Sequence, residues 1–259
     1  MSQGTLKSER PGSWDAELLR LTTFLRSEPD ISESERWWEK VVGGRPDETV
    51  SRPGLGQLRQ TGKLVGKLLA ISVNLARVDW VLQAPLPNPT EPPEEPSPLG
   101  PFPDVLKPFE DVVNSWLEKC PAVARLAFGA VLVLPVKDHL SGYRRLAQFL
   151  PDLKIDADGS SDLLYQINRP RKSGTDISGL IINRLSKWSV SRGTLLRISL
   201  EPGATSTISR GTFRFACRAE LDINTAADFD GDFSRESLPF VFDELTRLGK
   251  EISVKGDIP

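Results

Sequence analysis

The sequence of 259 residues predicts an α+β fold: a curved, mainly antiparallel sheet with helices packed on one side and a long Pro-rich loop. Three observations predict it. Residues 212–224 alternate without a break, with Phe213, Phe215, Cys217, Ala219, Leu221 and Ile223 on one side and Thr212, Arg214, Ala216, Arg218, Glu220 and Asp222 on the other. A period of two belongs to a strand with one face in a core. Other segments carry helical spacing. Ten prolines fall between Pro85 and Pro108, a density that neither helix nor central strand accepts, because each proline removes an amide donor and fixes φ.

Taken in order, Trp14, Leu18, Leu21 and Leu25 recur at helical spacing after Ser13, which predicts a first helix that Pro29 ends. The run Ser32-Glu33-Ser34-Glu35 reads as a capping box opening a short helix that carries Trp37, Trp38, Val41 and Val42, stopped by Gly43-Gly44. Residues 68–83 read as strand, broken or bent near Asn74–Ala76. Past the prolines, Val105, Phe109, Val112 and Trp116 mark an amphipathic helix with Pro108 in its first turn. A buried strand follows over 123–136, then a short helix over 140–150. Segments 163–167, 180–190 and 195–200 read as strands separated by Gly, Pro and Ser, and 238–252 as a closing helix with Pro239 in its first turn. The organisation expected is 1–84 as N-terminal helices and first strands, 85–108 as loop or linker, and 109–259 as a sheet-rich part forming one domain with the first. No repeat of fixed period points to a solenoid or propeller.

Composition narrows the function classes. Lys and Arg total 33 against 35 Asp and Glu, so net charge alone suggests no polyanion. Two cysteines far apart, Cys120 and Cys217, argue against an extracellular disulfide scaffold. The first residues carry no apolar signal core, and the longest apolar stretch, 123–136, is broken by Arg125 and Gly129 and too short to span a bilayer. The expectation is a cytoplasmic protein with no membrane partner.

Catalytic and metal motifs are weak. In the stretch from Gly54 to Lys63, Gln57 stands where a phosphate loop needs glycine and Leu64 where magnesium needs a hydroxyl, and Arg59 replaces the third glycine of a dinucleotide fingerprint. A turn between strands is the simpler reading. Asp228, Asp230 and Asp232, and separately Asp156, Asp158 and Asp162, lack the glycine and glutamate of a calcium loop. His139 is the sole histidine, and no nucleophile motif accompanies either cysteine. No cofactor and no metal are expected. Carboxylate-only catalysis has no sequence signature, so an enzyme relying on paired acids stays open.

Charge segregation stands above this background. Residues 165–218 hold ten basic side chains and only two acids, Asp176 and Glu201. Residues 219–259 hold ten acids against four bases, and the Pro-rich stretch is acidic too. Arg169, Arg171, Lys172, Arg184, Lys187, Arg192, Arg214 and Arg218 are therefore the candidate binding residues, for nucleic acid or an acidic partner surface. The alternative is that they pair with the acidic segments of the same molecule.

The run Trp37-Trp38 with Val41, the strand Arg77-Val-Asp-Trp-Val-Leu82, the stretch from Ala124 to Pro135, the strand Cys217 to Asn224 and the closing helix resemble a sporadically distributed family of uncharacterised prokaryotic proteins. The resemblance implies no catalytic residues. Some members sit near mobile or defence genes, which implies an accessory role. Together these readings predict a non-enzymatic binding or regulatory subunit, accessory to a defence or toxin system, with a protein partner. The alternative is a nucleic-acid-binding module using segment 165–218.

Overall fold

The computed structural model describes residues 13–85, 98–199 and 207–259. Its centre is an 11-stranded sheet in which every pairing is antiparallel. The strands are β1 (Asp15–Leu25), β2 (Glu48–Arg52), β3 (Gln57–Leu64), β4 (Lys67–Asn74), β5 (Arg77–Gln83), β6 (Gly100–Pro101), β7 (Val123–Val136), β8 (Leu164–Asn168), β9 (Arg171–Lys172), β10 (Ile181–Ser199) and β11 (Thr207–Thr225). Their spatial order is β2-β3-β4-β5-β1-β7-β11-β10-β8, with β6 on β1 and β9 on β10. The sheet does not close, so β2 and β8 are its edges. Five α-helices complete the fold among the described residues: α1 (Ile31–Ser34), α2 (Trp37–Val42), α3 (Phe102–Leu117), α4 (His139–Phe149) and α5 (Leu238–Lys255).

The expected first helix is instead β1, the central strand between β5 and β7. Leu19, Leu21, Thr23 and Leu25 are buried at a period of two, and a register shift between Ala16 and Leu18 puts Trp14 and Ala16 on the same face. Spacing across that bulge imitates a helical period. The β-branched pair Thr22-Thr23 and ladders on both sides decide for strand.

Three boundaries also move. Asp30, not Ser32, caps α1, accepting from the Ser32 amide at 2.8 Å. Helix α3 begins at Phe102, so Pro108 lies inside it. The strand expected over 195–200 is no separate strand as far as Ser199, because β10 runs continuously to that residue past a register shift at Thr194/Leu196, and residue 200 lies outside the described residues. The side chains of Thr212, Phe213 and Arg214 lie outside the described residues; Cys217, Ala219, Leu221 and Ile223 are buried as the alternation predicts.

The four longer helices lie on one face. Trp38 of α2 stacks on Trp80 at 6.0 Å, and Trp116 of α3 meets Trp37 at 4.7 Å and Trp80 at 6.1 Å. Close approach needs the missing side chain of Gly62, where a Cβ would stand 2.5 Å from Trp38 Cζ2. Toward the other edge Phe242 of α5 meets Phe128 edge-on at 6.2 Å, and Phe149 of α4 stacks on Trp188 at 5.9 Å. Each large apolar side chain so buried contributes about 1.5–3 kcal/mol before entropy is charged against it. Among the described residues the opposite face carries no helix. Among the described residues, no helix is long and apolar enough to cross a membrane.

Candidate binding surfaces

The basic segment is divided among three places. The first is a clasp on the chain's last residues. Arg169, just past β8, holds Asp257 with both arms of its guanidinium, Nε to Oδ1 at 2.6 Å and Nη2 to Oδ2 at 2.9 Å. Tyr165 donates to Oδ2 at 2.8 Å. Burial alone would push the Asp257 carboxyl up, but these hydrogen bonds and the Arg169 charge prevail and hold it below the usual carboxylate range. Arg184 lies on the helix-covered face, 5 % exposed, and its Nε donates to the Arg169 carbonyl at 3.0 Å. Arg171 reaches Glu251 of α5 at 3.8 Å, while Lys172 is exposed on β9. Arg169, Arg171 and Arg184 thus tie β8, β9 and β10 to the acidic C-terminal segment.

The second place is the open face. Lys187, Glu220, Arg218 and Glu17 form a chain across β10, β11 and β1: Lys187 Nζ stands 3.4 Å from Glu220, Arg218 Nε 3.2 Å from Glu220, and Arg218 also pairs with Glu17. At the far end of the same face Arg77 binds Asp79, which also accepts from Thr22. Arg77 and Arg125 lie over the Phe24 ring at 5.8 and 5.4 Å. Asn224 accepts from Arg125 and donates to Asp222 Oδ1 at 3.0 Å.

One cation between these networks is left over. Arg20 points from β1 over Gly129 of β7, close enough that a Cβ there would meet Nε and Nη2 at 3.4 Å. Its Nε is buried with no hydrogen-bond partner, and no carboxylate lies within ion-pair distance of it among the described residues. Gly129 registers with Arg20 on one side and Asp222 on the other. The row Arg20, Gly129, Asp222 lies in the floor of a groove of about 350 Å³ bordered by Leu18, Val131, Leu185, Lys187 and Gln166. The sequence reading missed this row because it put Arg20 on a helix. A charged residue inside a run of inward apolar positions was the available signal.

The third place is a ribbon. Pairing of β7 with β11 covers only residues 215–224 of β11, and β8 and β9 hold β10 no further than Ser189. Beyond that root, 190–199 and 207–214 pair with each other alone among the described residues. At about 3.3 Å per residue this two-stranded extension runs about 30 Å. Arg192 registers with Phe215, Arg214 with Gly193, Arg210 with Leu196 and Arg197 with Ser209. Neither paired stretch contains Asp or Glu.

The remaining motifs resolve into structure. Residues 53–55 form a 3-10 turn before β3, and Gly62 and Lys63 lie within that strand. Asp232 pairs with Arg26 at 2.7 Å, Asp158 with Arg144 at 3.5 Å, and Asp156 accepts from the Gly159 amide within its own turn. Among the described residues no group of three His, Cys, Asp or Glu side chains could hold a metal ion. Cys120 and Cys217 are free and buried, and burial pushes their thiols up to about 11 and about 12. His139 opens α4 with its ring 4.2 Å from Tyr143. No family model, curated protein or solved structure matches the chain.

Proposed function

We propose that the protein is a non-enzymatic binding protein that engages nucleic acid along the β10–β11 ribbon. The observation carrying this reading is the ribbon itself, four arginine positions on paired stretches that contain no Asp or Glu, extending past the sheet. A two-stranded ribbon is narrow enough to enter a groove of a duplex, and guanidinium groups suit phosphate. Position matters more than count here. Arg169, Arg171, Lys187 and Arg218 face carboxylates on the sheet, so the reading rests on the ribbon's sequence and register and not on them. Thiols kept protonated at neutral pH support the non-catalytic part of the reading.

Fluorescence anisotropy with labelled single- and double-stranded oligonucleotides, from low to moderate salt, tests it. Arg197→Ala, Arg210→Ala and Arg214→Ala combined should weaken binding and make the log–log salt slope shallower by about 2.7 units, about 0.9 for each phosphate no longer neutralised. Alanine at Arg169 and Arg171 should leave that slope unchanged. Absence of binding by wild type at low salt overturns the reading.

A second reading, a regulatory subunit with a protein partner, rests on a different place. Phe240 of α5 is 70 % exposed beside a groove of about 570 Å³ whose walls include Asp176, Glu236 and Asp243. An exposed aromatic beside a groove in which carboxylates outnumber the one cation, Arg247, suits a basic protein surface. A pull-down whose captured protein survives nuclease and is lost in Phe240→Ser would favour it over the ribbon.

A further inference from the structure

The open-face groove is independent of the ribbon, and its chemistry is more specific than a general charged surface. Ions on either side of it are used up: Lys187, Glu220, Arg218 and Glu17 in one network, Arg77, Asp79 and Thr22 in another. Arg20 and Asp222 are left without an ionic partner among the described residues, although Asp222 Oδ1 accepts from Asn224. They stand on β1 and β11 with one strand between them, so their Cα atoms are about 10 Å apart, two strand spacings. The residue between them is Gly129, which puts no side chain in the gap. The Arg20 guanidinium lies in that place, over Gly129 and next to the strand that carries Asp222, and a half-buried guanidinium without an acceptor is a costly arrangement.

We infer that this groove binds a small zwitterion, an aliphatic α-amino acid, with its carboxylate on Arg20 and its ammonium on Asp222. A guanidinium is matched to carboxylate geometry, and the pair's opposite signs fix the direction in which the ligand lies. A dianion is disfavoured because Asp222 and Glu220 line the same groove. The walls choose the side chain: Leu18, Val131 and Leu185 are apolar and half-buried, so a branched aliphatic group is preferred to a polar one. No bond is made or broken.

Calorimetric titration of the full chain with L-leucine, 4-methylpentanoate and 3-methylbutylamine tests the assignment, the last two being leucine without its ammonium and without its carboxylate. Leucine should bind with a Kd of about 1 mM or tighter, and each single-charge analogue at least about tenfold more weakly. Arg20→Gln and Asp222→Asn should each weaken leucine at least about tenfold, with unchanged circular dichroism. Gly129→Val, whose side chain would displace the Arg20 guanidinium from its place over Gly129, should abolish binding. The analogue series needs wild-type protein alone, so a variant that fails to fold does not remove the test. No leucine binding up to about 10 mM, analogues binding as well as leucine, or a folded Arg20→Gln variant with wild-type affinity would each overturn it. Oligonucleotide binding is read separately, so either proposal can fail alone.

Discussion

The two faces of the sheet are built from alternate residues of the same strands, yet they are held by different forces. On β7, Leu126, Phe128, Ala130 and Leu132 enter a core of aromatic rings beneath four helices. Their neighbours Arg125, Gly129 and Val131 belong to the open face, where cohesion comes from ion chains such as Lys187–Glu220–Arg218–Glu17. Apolar burial is additive and tolerant of detail. A charge network is satisfied only where each partner is met, so it can leave members over, as it leaves Arg20 and Asp222. Binding chemistry is therefore to be sought on the face with the weaker cohesion.

The largest effect expected from this difference is on β7. Phe128 is fully buried against Phe242 and beside Gly249. Phe128→Ala should cost about 3–5 kcal/mol, whereas Val131→Ala, three residues on and half-buried, should cost well under half of that. Urea melts with a fixed m-value measure both. Equal losses would mean that the open face is covered in solution.

Asp257 sharpens the comparison from the other side, because it is a charge on the covered face. Asparagine there keeps one acceptor oxygen but loses the charge and the second one that Arg169 and Tyr165 use, so Asp257→Asn should cost about 1.5–3 kcal/mol, the worth of hydrogen bonds to a charged group. The pH dependence carries a sign. A carboxyl held low in the folded state adds stability that is complete above the ordinary value of about 4 and is lost as pH falls through the lower, folded value. Melting temperatures of wild type and variant should therefore differ most at neutral pH and converge in acid. A difference that grows on acidification would contradict the assignment.

How far the sequence reaches follows the same division. The strand within 212–225, the strand 123–136, helix α4 and helix α5 were legible because each has one apolar face and a clear period. Strand β1 was not, since its bulge at Glu17 turns an alternating pattern into a helical one. The basic segment was visible as composition, but its division into clasp, open face and ribbon depends on which face of β10 and β11 each residue takes. Arg184 and Lys187 are three apart and on opposite faces. The Arg20–Gly129–Asp222 row joins three strands distant in sequence, and only register brings them together.

Gly62 tests how tightly the covered face is packed. A methyl group there would stand 2.5 Å from the Trp38 ring, which is itself stacked on Trp80. Gly62→Ala should cost about 1–3 kcal/mol by overpacking, with a change in the near-ultraviolet circular dichroism of the tryptophans. An unchanged spectrum and midpoint would mean that α2 rides further from the sheet.

The smallest effect belongs to the open face. Arg218 meets Glu17 and Glu220, and all three side chains are 29–40 % exposed. Water competes for each of these ions, so the attraction is screened, and holding long side chains in place has its own entropic cost. Glu17→Gln should therefore change stability by about 0–1 kcal/mol, and about 0.5 M salt should remove most of the difference. Arg218→Met keeps much of the aliphatic stem and should cost no more. A loss above about 2 kcal/mol that salt leaves untouched would show that the network is shielded from water. The face would then be a covered interface, and the contrast on which the Arg20 groove rests would be broken.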